Sequence, residues 1–229
     1  MCGRFTLRRP LRLKDRIDQF QLEQLIPRFN IAPTQPVLTI RKLDQTTSAS
    51  MVVWGLIPSW SSEPKGSINA RSETLEEKPS FSESFQRRRC LIPADGFYEW
   101  RRAGRSRQAY YFQMQDEEPF AFAGIWDRWI PRGADKDQSV TSFAIITTIA
   151  NSLLAGVHDR MPVILPREDY ELWLDPLAQP SELKKILLPF PADAMKSHPV
   201  SSQVNSAAVD DESLVNHVEH EAGTNLSLF

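Results

Sequence analysis

Seventeen prolines are spread from Pro10 to Pro199 along 229 residues, and they set the scale of what this backbone can build. Proline has no N–H to give to a helix interior or a central strand, so each one shortens the element around it. No linker stands out, and nothing repeats as βαβ. Val37 to Ile40 and Met51 to Trp54 read as two strands of a hairpin, with Gln45 to Ser50 as its polar turn. Cys90 to Ile92, Phe97 to Trp100, Ala109 to Met114, Phe120 to Ile125 and Ser142 to Thr148 read as further strands. Turns are expected at Pro93 to Gly96 and Asp116 to Glu118, and loops at Pro58 to Ser67 and Gly133 to Ser139. Helical spacing marks Leu11, Lys14, Ile17, Phe20, Leu22 and Leu25 as one amphipathic helix ending before Pro27. Shorter helices are expected over Ser80 to Arg89, Asn151 to Gly156, Pro166 to Leu174 and Ser181 to Leu188. With strands in the middle and helices at the flanks, the pattern predicts one α+β domain around a curled, mostly antiparallel, barrel-like sheet.

At 41% hydrophobic and 24% charged residues the chain is composed like an ordinary globular protein. No apolar run approaches the ~20 residues that cross a bilayer, and MCGRFTLRRP lacks the apolar core of a secretory signal. Two cysteines, Cys2 and Cys90, are too few for a disulfide framework, so a cytoplasmic, reducing setting is expected. The net charge of −2 conceals an asymmetry. Residues 1–110 hold 19 Lys and Arg against 11 Asp and Glu, and residues 111–229 hold 8 against 18. Most cations of the first half are arginines, whose planar fork suits phosphate. Residues after about Asp210 are polar and weakly patterned, and their last ten or so are expected to be mobile.

Cys2 follows the initiator methionine directly. Once Met1 is removed, one residue presents a thiol and an α-amine on adjacent carbons. The amine can condense with an aldehyde, and the sulfur can then close a five-membered thiazolidine on the imine. Ordinary pKa values of ~8.5 for the thiol and ~7.7–8.0 for the amine leave both reactive forms present at neutral pH.

Other candidates gather around motifs. Asn69 offers an amide donor and acceptor to a substrate oxygen or to the terminal amine; an Asx turn is its plainer use. Arg71, two residues on, shares its face if the segment is extended. Glu99 lies between aromatics in Phe97-Tyr98-Glu99-Trp100, where desolvation raises a carboxyl pKa toward neutrality and suits acid and base work; a solvated edge is the alternative. His158, in His158-Asp159-Arg160-Met161-Pro162, can shuttle protons, and Arg160 can anchor phosphate. Trp60, in a Pro/Ser loop, has no periodic reason to be buried and suits base stacking. His217 and His220 lack the partners of a zinc site, and there is no Walker A, GxGxxG or GxSxG motif, so neither metal nor cofactor is expected.

Taken in order, these blocks resemble the SOS-response-associated peptidase (SRAP) domain proteins, which shield abasic sites in single-stranded DNA. The blocks are Met1-Cys2-Gly3-Arg4-Phe5, Phe29 to Thr34, Trp54 to Trp60, Ile68 to Glu73, Cys90 to Trp100, His158 to Leu165 and Val200 to Asn205. The match spans residues 2–209, leaving 210–229 as a tail. The resemblance implies that Cys2 forms a thiazolidine crosslink with the C1′ aldehyde of the ring-opened deoxyribose. It implies that Asn69 positions Cys2, that Glu99 is the general acid and base, and that His158 assists proton transfer. Arg4, Arg71 and Arg160 would hold phosphates, while Trp60 and Trp100 would pack against bases or a junction of single strand and duplex. Crosslink reversal and β-elimination are further implied activities. Methionine aminopeptidase would uncover Cys2, and a monomer acting at damaged DNA in the nucleoid is the expected form. Two other readings use the same residues: an N-terminal-nucleophile thiol hydrolase of amides built on Cys2, Asn69 and His158, and a non-catalytic single-strand binder.

Overall fold

Short runs rich in apolar, aromatic and β-branched residues carry most of the chain into strands, several of them buried along nearly their whole length, which a computed structural model describes for residues 2–9, 25–43, 46–104 and 106–219. One sheet has five strands: β1 (Phe5–Leu7), β2 (Arg28–Ile31), β7 (Gly96–Ala103), β8 (Ser106–Met114) and β13 (Met195–Val200), in the order β13-β8-β7-β1-β2. All of its pairings are antiparallel. The second sheet is built on β3 (Pro36–Leu43), β4 (Thr46–Trp54), β6 (Arg89–Ala94), β9 (Phe120–Trp129) and β10 (Val140–Ile149), with short β5 (Asn69–Arg71), β11 (Arg160–Pro162) and β12 (Ile164–Leu165). It curls strongly around β10. Ile145 faces both Gly124 of β9 and Asn69 of β5, so these strands flank β10 on opposite sides. The parallel pairings of β10 with β4 and β5 are exceptions to an otherwise antiparallel plan. Among the described residues the α-helices are short: α1 (Ser82–Arg87), α2 (Tyr170–Leu174) and α3 (Pro180–Lys185). The α+β class with a curled sheet is therefore the one that strands in the middle and helices at the flanks implied.

Three local expectations differ. Thr46 to Ser50 is strand rather than turn, paired residue by residue with β3. Its polar side chains fit because β10 meets β4 only at Val53 and Trp54, leaving the earlier half of β4 uncovered on that edge. Pro93 and Ala94 belong to β6, so the break before β7 is Asp95 alone. Residues 152–157 are successive turns rather than a helix. The Asn151 side chain organises them, accepting from Leu154 N at 3.0 Å while its Nδ2 donates to Phe190 O at 2.7 Å. The helix expected over Leu11 to Leu25 falls almost wholly outside the described residues. No helix among those described is long and apolar enough to cross a membrane.

Aromatic rings fill the space between the sheets. Phe5 lies 5.1 Å from Trp54 and 5.6 Å from Phe122 between ring centroids, both edge-on, and Phe97 stacks on Phe112 at 5.3 Å. Burying Phe5 fully is worth roughly 1.5–3 kcal/mol, so the strand behind Cys2 is anchored by its own core residue. The other face of the five-stranded sheet carries Tyr98, Tyr111 and Val200, and Val204 and Leu214 cover it. Asp210 accepts from the backbone N–H groups of Phe29 and Asn30 at 2.5 and 2.9 Å. Of the polar tail assigned to residues 210–229, Leu214 is thus buried, and residues 220–229 lie outside those described.

Candidate functional site

The register of β1 on β7 decides which groups meet Cys2. Phe5 pairs with Phe97, Thr6 with Gly96, and the Tyr98 N–H donates to Arg4 O at 3.0 Å. Alternation along β7 then turns Glu99 to the same side as Phe97, into the space between the sheets. Glu99 is 2% exposed and Cys2 fully buried. Burial raises the Glu99 carboxyl pKa, with electrostatic interaction with the His158 ring among the opposing influences. Burial, and then the Glu99 carboxylate, push the Cys2 thiol up, so sulfur is held as thiol beside a proton acceptor. The thiol's weak contact is to Arg4 O at 3.8 Å.

From the second sheet, β5 supplies Asn69. Its Nδ2 donates to Cys2 O at 2.9 Å, and its buried Oδ1 has no hydrogen-bond partner among the described residues. Ala70 is buried while Arg71 is exposed, so Arg71 shares the face of Asn69 as an extended segment requires. The turns before β11 bring in His158. Its Nδ1 accepts from Arg160 N at 3.0 Å, and Asp159 Oδ1 lies 2.9 Å from the same nitrogen. The first contact suits bare Nδ1 and the second protonated Nδ1, so the ring has a partner in either state.

The cations differ in what already holds them. Arg4 is half-buried without a carboxylate partner among the described residues; it donates to Gly3 O at 2.8 Å and Asn205 O at 3.5 Å. Asn205 also accepts from Trp100 Nε1 at 2.8 Å, which locks that indole beside Arg4. Arg160 is engaged internally: two nitrogens reach the Glu73 carboxylate at 2.6 and 2.8 Å, and one reaches Thr147 O at 2.6 Å. A phosphate on Arg160 therefore has to replace Glu73. Trp60 is 64% exposed on a loop pinned on both sides, by Ser59 N to Asp127 at 2.8 Å and Trp129 Nε1 to Ser61 O at 2.7 Å. Among the described residues no hydrogen bond or ring contact joins Trp60 to the Cys2 group.

Sequence reading missed Asp95, Glu73 and Asn205. Asp95 is fully buried and accepts from Thr6 Oγ1 (2.6 Å), Arg8 N (2.6 Å), Arg9 N (3.0 Å) and Arg8 Nε (3.2 Å). Next to it, any Cβ on Gly96 would fall 2.0 Å from the Tyr111 hydroxyl, which bonds Thr6. A carboxylate beside a glycine at a strand break was the available signal, and it reads equally well as a plain turn.

A family model for the SOS response associated peptidase (SRAP) matches residues 1–207. The abasic site processing protein YoqW of Bacillus subtilis is 40% identical over 94% of this chain and 99% of its own. YedK of Escherichia coli, another abasic site processing protein, is 29% identical over 95% of this chain and all of its own. Among solved structures, a Bacteroides thetaiotaomicron protein superposes with a TM-score of 0.83 at 28% identity, covering 95% of this chain and 100% of that one. With the family model spanning most of its length and a relative at this level of identity, the chain belongs to the SRAP family.

Proposed function

We propose that this protein processes abasic sites in DNA by covalent capture through Cys2, after Met1 is removed. The freed α-amine adds to the C1′ aldehyde of the ring-opened deoxyribose, and loss of one water gives the imine. The Cys2 sulfur then adds to the imine carbon while its proton leaves for a base and the nitrogen gains one. The sum is a thiazolidine and one water, with no oxidant or reductant. The observation that carries this reading is the burial of Glu99 on the side of β7 that faces Cys2, with Asn69 holding the Cys2 carbonyl. A raised carboxyl pKa lets Glu99 arrive protonated, deliver the proton to the departing hydroxyl, and take one back. The Asn69 Oδ1, without a partner among the described residues, is an acceptor suited to the freed amine. His158 serves the sugar hydroxyl, Arg4 and Arg71, which pair with no carboxylate among the described residues, offer their charge to the flanking phosphates, and Trp60 offers an exposed stacking face. The names of YoqW and YedK agree with this substrate. β-Elimination and crosslink reversal would proceed through the same imine.

Intact mass after incubation of Met1-processed protein with an abasic oligonucleotide tests the reading. The expected mass is protein plus oligonucleotide minus one water, stable to heat and absent for Cys2→Ala. A heat-stable adduct of equal yield in Cys2→Ala would refute the thiazolidine.

A further inference from the structure

Strand β7 does not stop at the site. Beyond Glu99 and Trp100 it continues through Arg101 and Arg102 before β8 returns with Arg107 opposite Arg102 and Gln108 opposite Arg101. Arg102 and Arg107 are both exposed. Like charges directly opposite on antiparallel strands repel, and the described residues place no carboxylate in an ion pair with either one. Arg101, on the same face as Glu99, lies with its guanidinium 5.1 Å from the Tyr110 ring centroid. Arg102 and Arg107 instead share the face of Trp100. Arg107 also borders a groove of ≈ 230 Å³ lined by Gln108, Val200, Ser201, Ser202, Val218 and Glu219. Neither packing nor turn geometry requires paired arginines here: the hairpin tip has Gly104 at φ 59°, which meets the turn's own need.

We infer that this hairpin is a DNA-binding arm, taking backbone phosphates of the strand that flanks the captured lesion. This rests on the abasic-site reading. Arg102 stands two residues past Trp100, about 7 Å at ~3.4 Å per residue, which is roughly two nucleotide rises of a stacked strand. Arg102 and Arg107 face each other across the ladder, so one run of backbone can meet both. The mutual repulsion is relieved when phosphates sit between them.

The test uses full-length, Met1-processed protein and Arg102→Ala/Arg107→Ala, both positions being exposed. Affinity for an intact 20-nucleotide single strand is measured against NaCl concentration. Crosslinking rates are measured on abasic oligonucleotides of 3 and 20 nucleotides, the longer also with one flank or the other made duplex. Two lost phosphate contacts should flatten the log–log salt slope by about 1.4, at ~0.7 per contact on a single strand. Crosslinking of the 20-mer should slow severalfold at 150 mM NaCl, while the 3-mer reacts as before. The duplex flank that shows the larger loss identifies the side the arm serves. An unchanged salt slope and 20-mer rate, in a preparation whose wild type crosslinks normally, would overturn the arm. So would equal losses on 3-mer and 20-mer, which would put both arginines at the lesion itself. If wild type forms no crosslink yet the slope flattens, the arm stands as a DNA contact and the covalent reading fails.

Discussion

Replacing Asp95 by asparagine perturbs a carboxylate that touches neither Cys2 nor Glu99, yet it should weaken both the fold and the proposed capture. Four donors converge on its two oxygens. Thr6 Oγ1 and Arg8 Nε bond Oδ1, and the backbone N–H groups of Arg8 and Arg9 bond Oδ2. An amide keeps the shape but has one oxygen. If that oxygen stays on the two backbone N–H groups, the NH₂ opposes Arg8 Nε, which loses its charged acceptor. A hydrogen bond to a charged group is worth about 1.5–3 kcal/mol, and the retained bonds fall to roughly half strength once neutral. A total loss of about 3 kcal/mol follows for Asp95→Asn, and about 3–5 kcal/mol for Asp95→Ala, which leaves the poorly exposed Arg8 guanidinium with Gln113 but without its carboxylate. Since Thr6 lies in β1, which begins three residues after Cys2, and Arg8 and Arg9 follow that strand directly, the crosslinking rate should fall even where the variant is fully folded. Urea unfolding at pH 7 gives the stability. Single-turnover crosslinking well below the transition gives the rate, and an Arg8→Gln cycle isolates the Arg8 share at about 1.5–3 kcal/mol. A loss below about 1 kcal/mol together with a wild-type rate would refute the anchoring argument.

Glu99→Gln should slow formation and reversal of the crosslink alike, by about 10²–10⁴, with rates read from quenched time courses in both directions. It should also stabilise the fold at pH 7. A carboxyl whose pKa is raised on folding contributes stability that is complete below its unfolded pKa and is lost as pH rises through the folded value. Thermal melts should therefore show the glutamine advantage shrinking between pH 7 and pH 4, and a constant gap would contradict the assignment. For Glu73→Gln, the pair with Arg160 is open to solvent on the Glu73 side and its loss costs about 1 kcal/mol of stability, while single-stranded DNA should bind severalfold tighter because phosphate no longer displaces a carboxylate. Weaker binding in a fluorescence titration would instead make Glu73 the group that positions Arg160.

Much of this protein was legible one residue at a time. Runs of aromatic and β-branched residues over Phe97 to Trp100 and Ser142 to Thr148 marked two strands, because such side chains favour extended backbone and the signal is local. The desolvation of Glu99 followed from its aromatic neighbours, and the order of short motifs carried the resemblance. What tertiary structure alone decided is who meets whom. Arg8 finds Asp95 and Arg160 finds Glu73 across 87 residues each, and Arg4 reaches Asn205 across 201. The parallel pairing of β10 with β5, which brings Asn69 into the fold beside Cys2, has no trace in either segment. The same gap let Thr46 to Ser50 read as a turn: those polar residues are strand because β3 pairs with them, not because of their own pattern. Periodicity reports how a segment relates to inside and outside; the identity of its partner is set by packing energy summed over distant parts of the chain, which no local window contains.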